Sequence, residues 1–245
     1  MSRPTRAQST VPSAPHHIIL RGNNRRRLFS FANDYKFFIQ QLAHMQARFN
    51  IELNAGCLMA NHVHLLATPR DVAQFSGFIK GVAQRYAQYR NQKWGGTGKL
   101  FESRFIALPI KSEAHLAIVM AYVELNPVRA GVVQDPRAYR WSTHRIHAEP
   151  STGALSDMTA VTWSPNFWYA RLGSESAARA REYAAFVDYC LARDRAEFEA
   201  DALQRAVIVD DDPRIVRRPN GSRVAGAPRE NVSSLRGQTR FVTGR

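Results

Sequence analysis

Four side chains frame the chemistry open to this chain. His62 and His64 stand one residue apart in "CLMANHVHLLATP" (57–69), and Tyr122 and Asn126 stand four apart in "HLAIVMAYVELNPVRAG" (115–131). In a strand, residues i and i+2 share a face with Cα atoms ~6.6–7 Å apart, so two imidazoles can converge on one metal ion. In a helix, residues i and i+4 project from one side with Cβ atoms roughly 5–6 Å apart. A tyrosine nucleophile and an amide reaching a shared metal could be placed that way. Plain structural alternatives exist for each pair: strand histidines that face solvent or accept hydrogen bonds, an aromatic in the core, and an asparagine that ends a helix before proline.

The elements around these residues must hold them in place. "HHIILRG" (16–22) predicts a short strand closed by Gly22, with the basic loop "NNRRRLF" after it. Asn33 or Asp34 can cap a helix in which Tyr35, Phe38, Leu42, Met45 and Phe49 recur at three- and four-residue intervals. Segments 51–59 and 62–69 predict a hairpin turning at Ala60-Asn61, with Val63 and Leu65 directed away from the histidines. A second helix is expected over 72–92. A glycine-rich loop and a strand at 104–111 follow, and Pro109 argues for an edge position. A third helix runs from Ser112 to Leu125 and is stopped by Asn126-Pro127. Strand, helix, strand, strand, helix, strand is the split βαβ order of a ferredoxin-like α+β fold, with helices on one face of the sheet. Segment 138–147 reads as an ordered packing element, and 175–205 as helical.

Composition narrows the partner. Of 245 residues, 34 are Lys or Arg and 20 are Asp or Glu, a formal charge of +14, which favours a polyanion and first of all nucleic acid. The bland alternative is a basic protein that binds nothing anionic. Cys57 and Cys190 lie far apart without CxxC spacing, against a disulfide framework or a cysteine zinc site. No run approaches the ~20 apolar residues of a membrane span, and the N-terminus lacks the apolar core of a signal peptide, so a soluble, cytoplasmic protein is expected. Residues 1–15 read as a flexible arm, 148–210 as a mainly helical extension and 211–245 as a disordered basic tail, idle or touching phosphates. Over 214–245, eight arginines face the single acid Glu230.

"RGNNRRRLF", "CLMANHVHLL", "GKLFESRF", "YVELNPVRAG" and "YRWSTHR" recur here in an order and at distances that closely resemble the REP-associated tyrosine transposases. These are relatives of the single-tyrosine HUH transposases of bacterial insertion sequences. The resemblance spans residues 16–147, as a catalytic domain, and stops near 150. It implies that His62 and His64 hold a divalent metal, that Asn126 completes the ligand set and that Tyr122 is the nucleophile. The implied substrate is single-stranded or hairpin DNA of repetitive extragenic palindromes, cleaved and rejoined through a 5′-phosphotyrosine bond. Ala60 stands where relatives commonly carry proline, a departure that affects the turn rather than the ligands. Mg²⁺ or Mn²⁺ is the expected cofactor, although two imidazoles are unusual for Mg²⁺.

On this reading Arg21, Arg25, Arg26, Arg27, Arg85, Arg90, Lys93, Lys99 and Arg104 contact phosphates. Asn23, Asn24, Tyr86 and Trp94 hydrogen-bond to or stack on unpaired bases, Tyr86 being equally a core candidate. Monomer and dimer both remain open. The alternatives are a domesticated nucleic-acid-binding module of the same fold that no longer cuts, and a metal-dependent phosphodiesterase using water, with Tyr122 structural.

Overall fold

The computed structural model describes residues 11–102, 105–149, 157–193, 197–198 and 201–202. Its β-branched and leucine-rich segments form strands β1 (His16–Arg21), β2 (Glu52–Met59), β3 (His62–Thr68) and β4 (Ile106–Pro109). They make one antiparallel sheet in the order β2-β3-β1-β4, the arrangement the split βαβ order predicts. β4 is an edge, so Pro109 removes no ladder bond from the sheet interior.

Helices α1 (Ala32–Phe49) and α2 (Val72–Trp94) cover one face. Phe38, Ile39, Leu42, Phe75, Phe78 and Val82 close there on Ile18, Leu20, Val63 and Leu65. Helix α3 (Glu113–Arg129) covers the other face, with Leu116, Val119, Met120 and Val123 against Ala55, Cys57, Met59 and Leu66. The short helices α4 (His144–Ala148) and α5 (Phe167–Arg171) and the longer α6 (Ser176–Ala192) extend this second layer through Tyr169, Tyr183, Val187 and Cys190. The two crossover helices thus share a face, and α3 with the extension lies opposite them. Covering on both sides explains why seven of the eight β2 residues are buried in succession instead of alternating. Among the described residues no helix is long and apolar enough to cross a membrane.

Several boundaries differ from those the sequence predicts. α1 begins at Ala32, with Phe31 at the N-cap; Asp34 caps it from the first turn by accepting the Ser30 and Phe31 N–H groups at 2.8 and 3.0 Å. α3 does not stop at Asn126-Pro127 but runs to Arg129, because a proline inside a helix withholds a single i→i−4 donor and the Asn126 side chain adds a bond to the Tyr122 carbonyl. Residues 11–15, assigned by sequence to the arm, are tied to the sheet: Ser13 N–H donates to the Pro69 carbonyl and Ile110 N–H to the Pro15 carbonyl. The remainder of that arm, Arg104 and the tail at 211–245 lie outside the described residues.

Candidate active site

The β1–β3 register sets Arg21 opposite His62 and Ile19 opposite His64, so Arg21 and both histidines occupy the face that α3 covers. α3 lays Tyr122 against this face, with its ring edge-on to His64 at 5.6 Å between centroids. The His62 and His64 rings are 4.8 Å apart and nearly perpendicular. Asn126, one turn beyond Tyr122, comes within hydrogen-bond reach of the His62 ring. Its Nδ2 donates to the Tyr122 carbonyl at 2.8 Å, so Oδ1 is the atom left to accept. The four residues picked out by spacing therefore meet at one site, with the exposed Arg21 guanidinium beside it.

Both imidazoles are held in the neutral form by their surroundings. His62 Nδ1 lies 2.7 Å from Asn61 Oδ1; a proton on Nδ1 makes this a hydrogen bond and leaves a lone pair on Nε2. Burial, aided by the nearby Arg21 charge, lowers the His62 pKa to about 4. His64 is held well below its ordinary value by burial and by the neighbouring His62, His17 and Arg21. Two neutral imidazoles and an amide oxygen fit a divalent cation with open coordination positions. No cluster of three His, Cys, Asp or Glu side chains able to hold a metal occurs among the described residues.

Three further residues shape the site and were not singled out by sequence reasoning. His17, fully buried on β1, bridges His64 through Nε2···Nδ1 at 2.8 Å, and its ring meets Tyr122 edge-on at 5.8 Å. His115, buried in the first turn of α3, stands near enough to His17 to depress its pKa further, after burial. Its seven-residue spacing from Tyr122, two helical turns, is a signal the sequence does contain. Glu124 lies on the opposite side of α3, fully buried. It accepts from the Thr143 hydroxyl at 2.5 Å, His147 Nδ1 at 2.6 Å, His144 Nδ1 at 3.2 Å and the Tyr183 hydroxyl at 2.7 Å. Burial pushes this carboxyl up, but the His147 and His144 rings outweigh it and hold the group well below the usual carboxylate range. Thr143 also accepts the Gly56 N–H at 3.0 Å, so one carboxylate ties the tyrosine-bearing helix to β2, α4 and α6.

With this geometry in view, residues 10–126 match the family model of the IS200-like transposases. This segment resembles an IS200-like transposase domain. A solved REP-associated tyrosine transposase bound to a REP hairpin shares the fold, with a TM-score of 0.52 and 16% identity over 68% of this chain and 93% of that one. A candidate transposase from Deinococcus radiodurans aligns at 20% identity over 48% of this chain and 92% of that one, with a TM-score of only 0.33. A comparison with curated proteins finds no match.

The candidate DNA-contacting residues fall into several groups. Arg21, Asn24, Arg25, Arg26, Arg27 and Lys99 are exposed, and Asn23 is half-buried. The loop that carries the first of these is fixed at the site's end of the sheet. Gly22 N–H donates to the Asn61 carbonyl, Asn23 N–H to that of Leu100, and Leu28 and Phe29 N–H to that of Ala60. Arg85 is exposed too, but on α2, across the sheet from Tyr122. Arg90 is not a free phosphate contact: only 8% exposed, it lies 3.8 Å from Asp34 and donates to the Arg27 carbonyl. Lys93 is paired with Asp34 at 2.6 Å. Tyr86 is core, its hydroxyl donating to the Leu28 carbonyl at 2.6 Å. A charge reads as solvated in sequence until its buried partner, here Asp34, is located.

Proposed function

We propose that this chain is a metal-dependent DNA strand transferase that cleaves and rejoins single-stranded or hairpin DNA of repetitive extragenic palindromes through a 5′-phosphotyrosine intermediate. What supports the reading above all is the meeting of Tyr122, His62, His64 and Asn126 beside Arg21 on a domain that resembles the IS200-like family. The hairpin bound by the solved REP-associated transposase of the same fold supports the substrate class.

Tyr122 Oη attacks the phosphorus. Its bond to phosphorus forms as the P–O3′ bond breaks, the phenol proton leaves, and the departing 3′-oxygen takes up a proton. The products are a 5′-phosphotyrosine and a free 3′-hydroxyl. The phosphodiester's free energy is kept in the new bond, so a 3′-hydroxyl from another strand can reverse the step and join. Arg21, across the ladder from His62, offsets the negative charge of the substrate phosphate. His62, His64 and Asn126 would hold Mg²⁺ or Mn²⁺, which when bound supplies Lewis-acid polarisation of the phosphoryl oxygens. The two nitrogen ligands favour Mn²⁺.

The test is to incubate the protein with labelled hairpin DNA and Mn²⁺ and look for an adduct that survives denaturation. Wild type should form it and Tyr122→Phe should not. Cleavage without an adduct would instead indicate a water-using phosphodiesterase, and binding with neither product a non-cutting module.

A further inference from the structure

Phe31 and Trp94 are two of the few large apolar side chains left open to solvent, at 57% and 51% exposure, and they lie together. Their rings are parallel to within 8° in an offset stack with centroids 5.8 Å apart. Neither ring hangs loosely. Asp34, wholly buried, accepts the N–H of Phe31 at 3.0 Å, the Tyr89 hydroxyl at 3.0 Å and the Lys93 ammonium at 2.6 Å. Lys93 Nζ then sits 5.4 Å from the Phe31 ring centre and 5.7 Å from that of Trp94, and the Arg90 guanidinium is 5.1 Å from the Trp94 ring. An N-cap position favours Ser, Thr, Asp or Asn, so a phenylalanine held there contributes nothing to capping. A buried carboxylate thus fixes two exposed aromatic faces and sets cations at their rim.

The surface has a place in the fold. The loop that leaves β1 beside His62 carries the exposed Arg25, Arg26 and Arg27 and ends at Phe31. Arg90, which supports Trp94, donates to the Arg27 carbonyl, and Arg26 Nη1 donates to the Lys99 carbonyl. Aromatic faces and cationic loop are therefore joined by hydrogen bonds, and the loop starts next to Arg21, which lies across the ladder from His62. Flat rings beside the exposed Arg25–Arg27 loop match an unpaired nucleobase, which has a free π-face and a phosphate attached. A base inside a duplex has no face to offer.

We infer that Phe31 and Trp94 form a stacking platform for an unpaired nucleobase of the DNA strand that passes over the Arg25–Arg27 loop from the tyrosine site. This rests on the strand-transferase reading for the identity of the strand. The test measures binding of two labelled hairpins, one blunt and one with a short unpaired flank, over a range of salt concentrations, with adduct formation followed on the same preparations. Phe31→Ala and Trp94→Ala should weaken binding of the flanked hairpin by roughly 5- to 150-fold. The slope of log K against log salt should not change, because no phosphate contact is removed. Trp94→Leu, which keeps apolar bulk without a flat ring, should lose affinity like Ala, and Trp94→Phe should retain most of it. Blunt-hairpin affinity should stay at the wild-type value. The platform is overturned if both Ala variants bind the flanked hairpin as wild type does, if they lose affinity equally for the blunt hairpin, or if only their oligomeric mass changes. Trp94-dependent binding of the flanked hairpin without any adduct would uphold the platform while removing the strand-transferase reading.

Discussion

His17 Nε2 lies 2.8 Å from His64 Nδ1, and that bond decides which nitrogen of His64 is free. If His64 donates from Nδ1, its Nε2 keeps the lone pair a metal needs; if His17 donates, His64 Nε2 carries a proton instead. His17→Phe should therefore weaken Mn²⁺ binding about 10- to 100-fold by calorimetry, the usual cost of losing a residue that orients a ligand. An unchanged affinity would make His17 a packing residue only.

Acid should act on this site in a defined direction. Burial lowers the His17 pKa to about 3 and the His62 pKa to about 4, whereas an unfolded histidine titrates near its ordinary ~6.5. Between those values the unfolded chain binds more protons, so folding stability falls as pH drops from 6.5 towards 4. The Glu124 carboxyl, held low, adds a loss that begins only below its ordinary value. Thermal melts in metal-free buffer should show the midpoint falling steadily below pH 6.5, and less steeply for His17→Phe. A flat profile would contradict the buried neutral state.

Glu124 holds four hydrogen-bond donors in a dry layer, so its replacement leaves them unmatched. Glu124→Ala should cost about 3–5 kcal/mol in urea unfolding, within the range for breaking one side of a buried charged cluster. Hydrogen exchange should quicken first in α4 and α6, which the carboxylate ties to α3. A loss under 1 kcal/mol would show the cluster to be dispensable.

Arg21 and Arg90 should behave oppositely although both are arginines in basic segments. Arg21→Ala should reduce DNA affinity and lower the salt slope by roughly 1, the signature of one lost phosphate contact. Arg90→Ala should leave the slope alone and lower the melting temperature, because Arg90 is buried against Asp34 and Trp94.

Strand and helix order follow from periodicity and turn residues, and the sheet order matches, because α1 and α2 each bury one apolar stripe, such as Phe38 to Met45. Tyr122 and Asn126 are legible as a pair because their spacing is local. His17 is visible in "HHIILRG" but acquires meaning only once the β1–β3 register brings its ring to His64, 47 residues later. Asp34 reads as a cap, yet it also neutralises Lys93, 59 residues on, which no local pattern reveals. Pro127 signals a helix stop, and the side chain before it helps carry the helix past.

On the proposed mechanism Tyr122 becomes covalently joined to the 5′ side of the cleaved strand. Mass mapping of the protease-digested adduct tests it most directly. The peptide containing Tyr122 should carry the oligonucleotide through a 5′-phosphate, and the released strand should end in a 3′-hydroxyl. Attachment to any other residue, or a released strand bearing a 3′-phosphate, would contradict it.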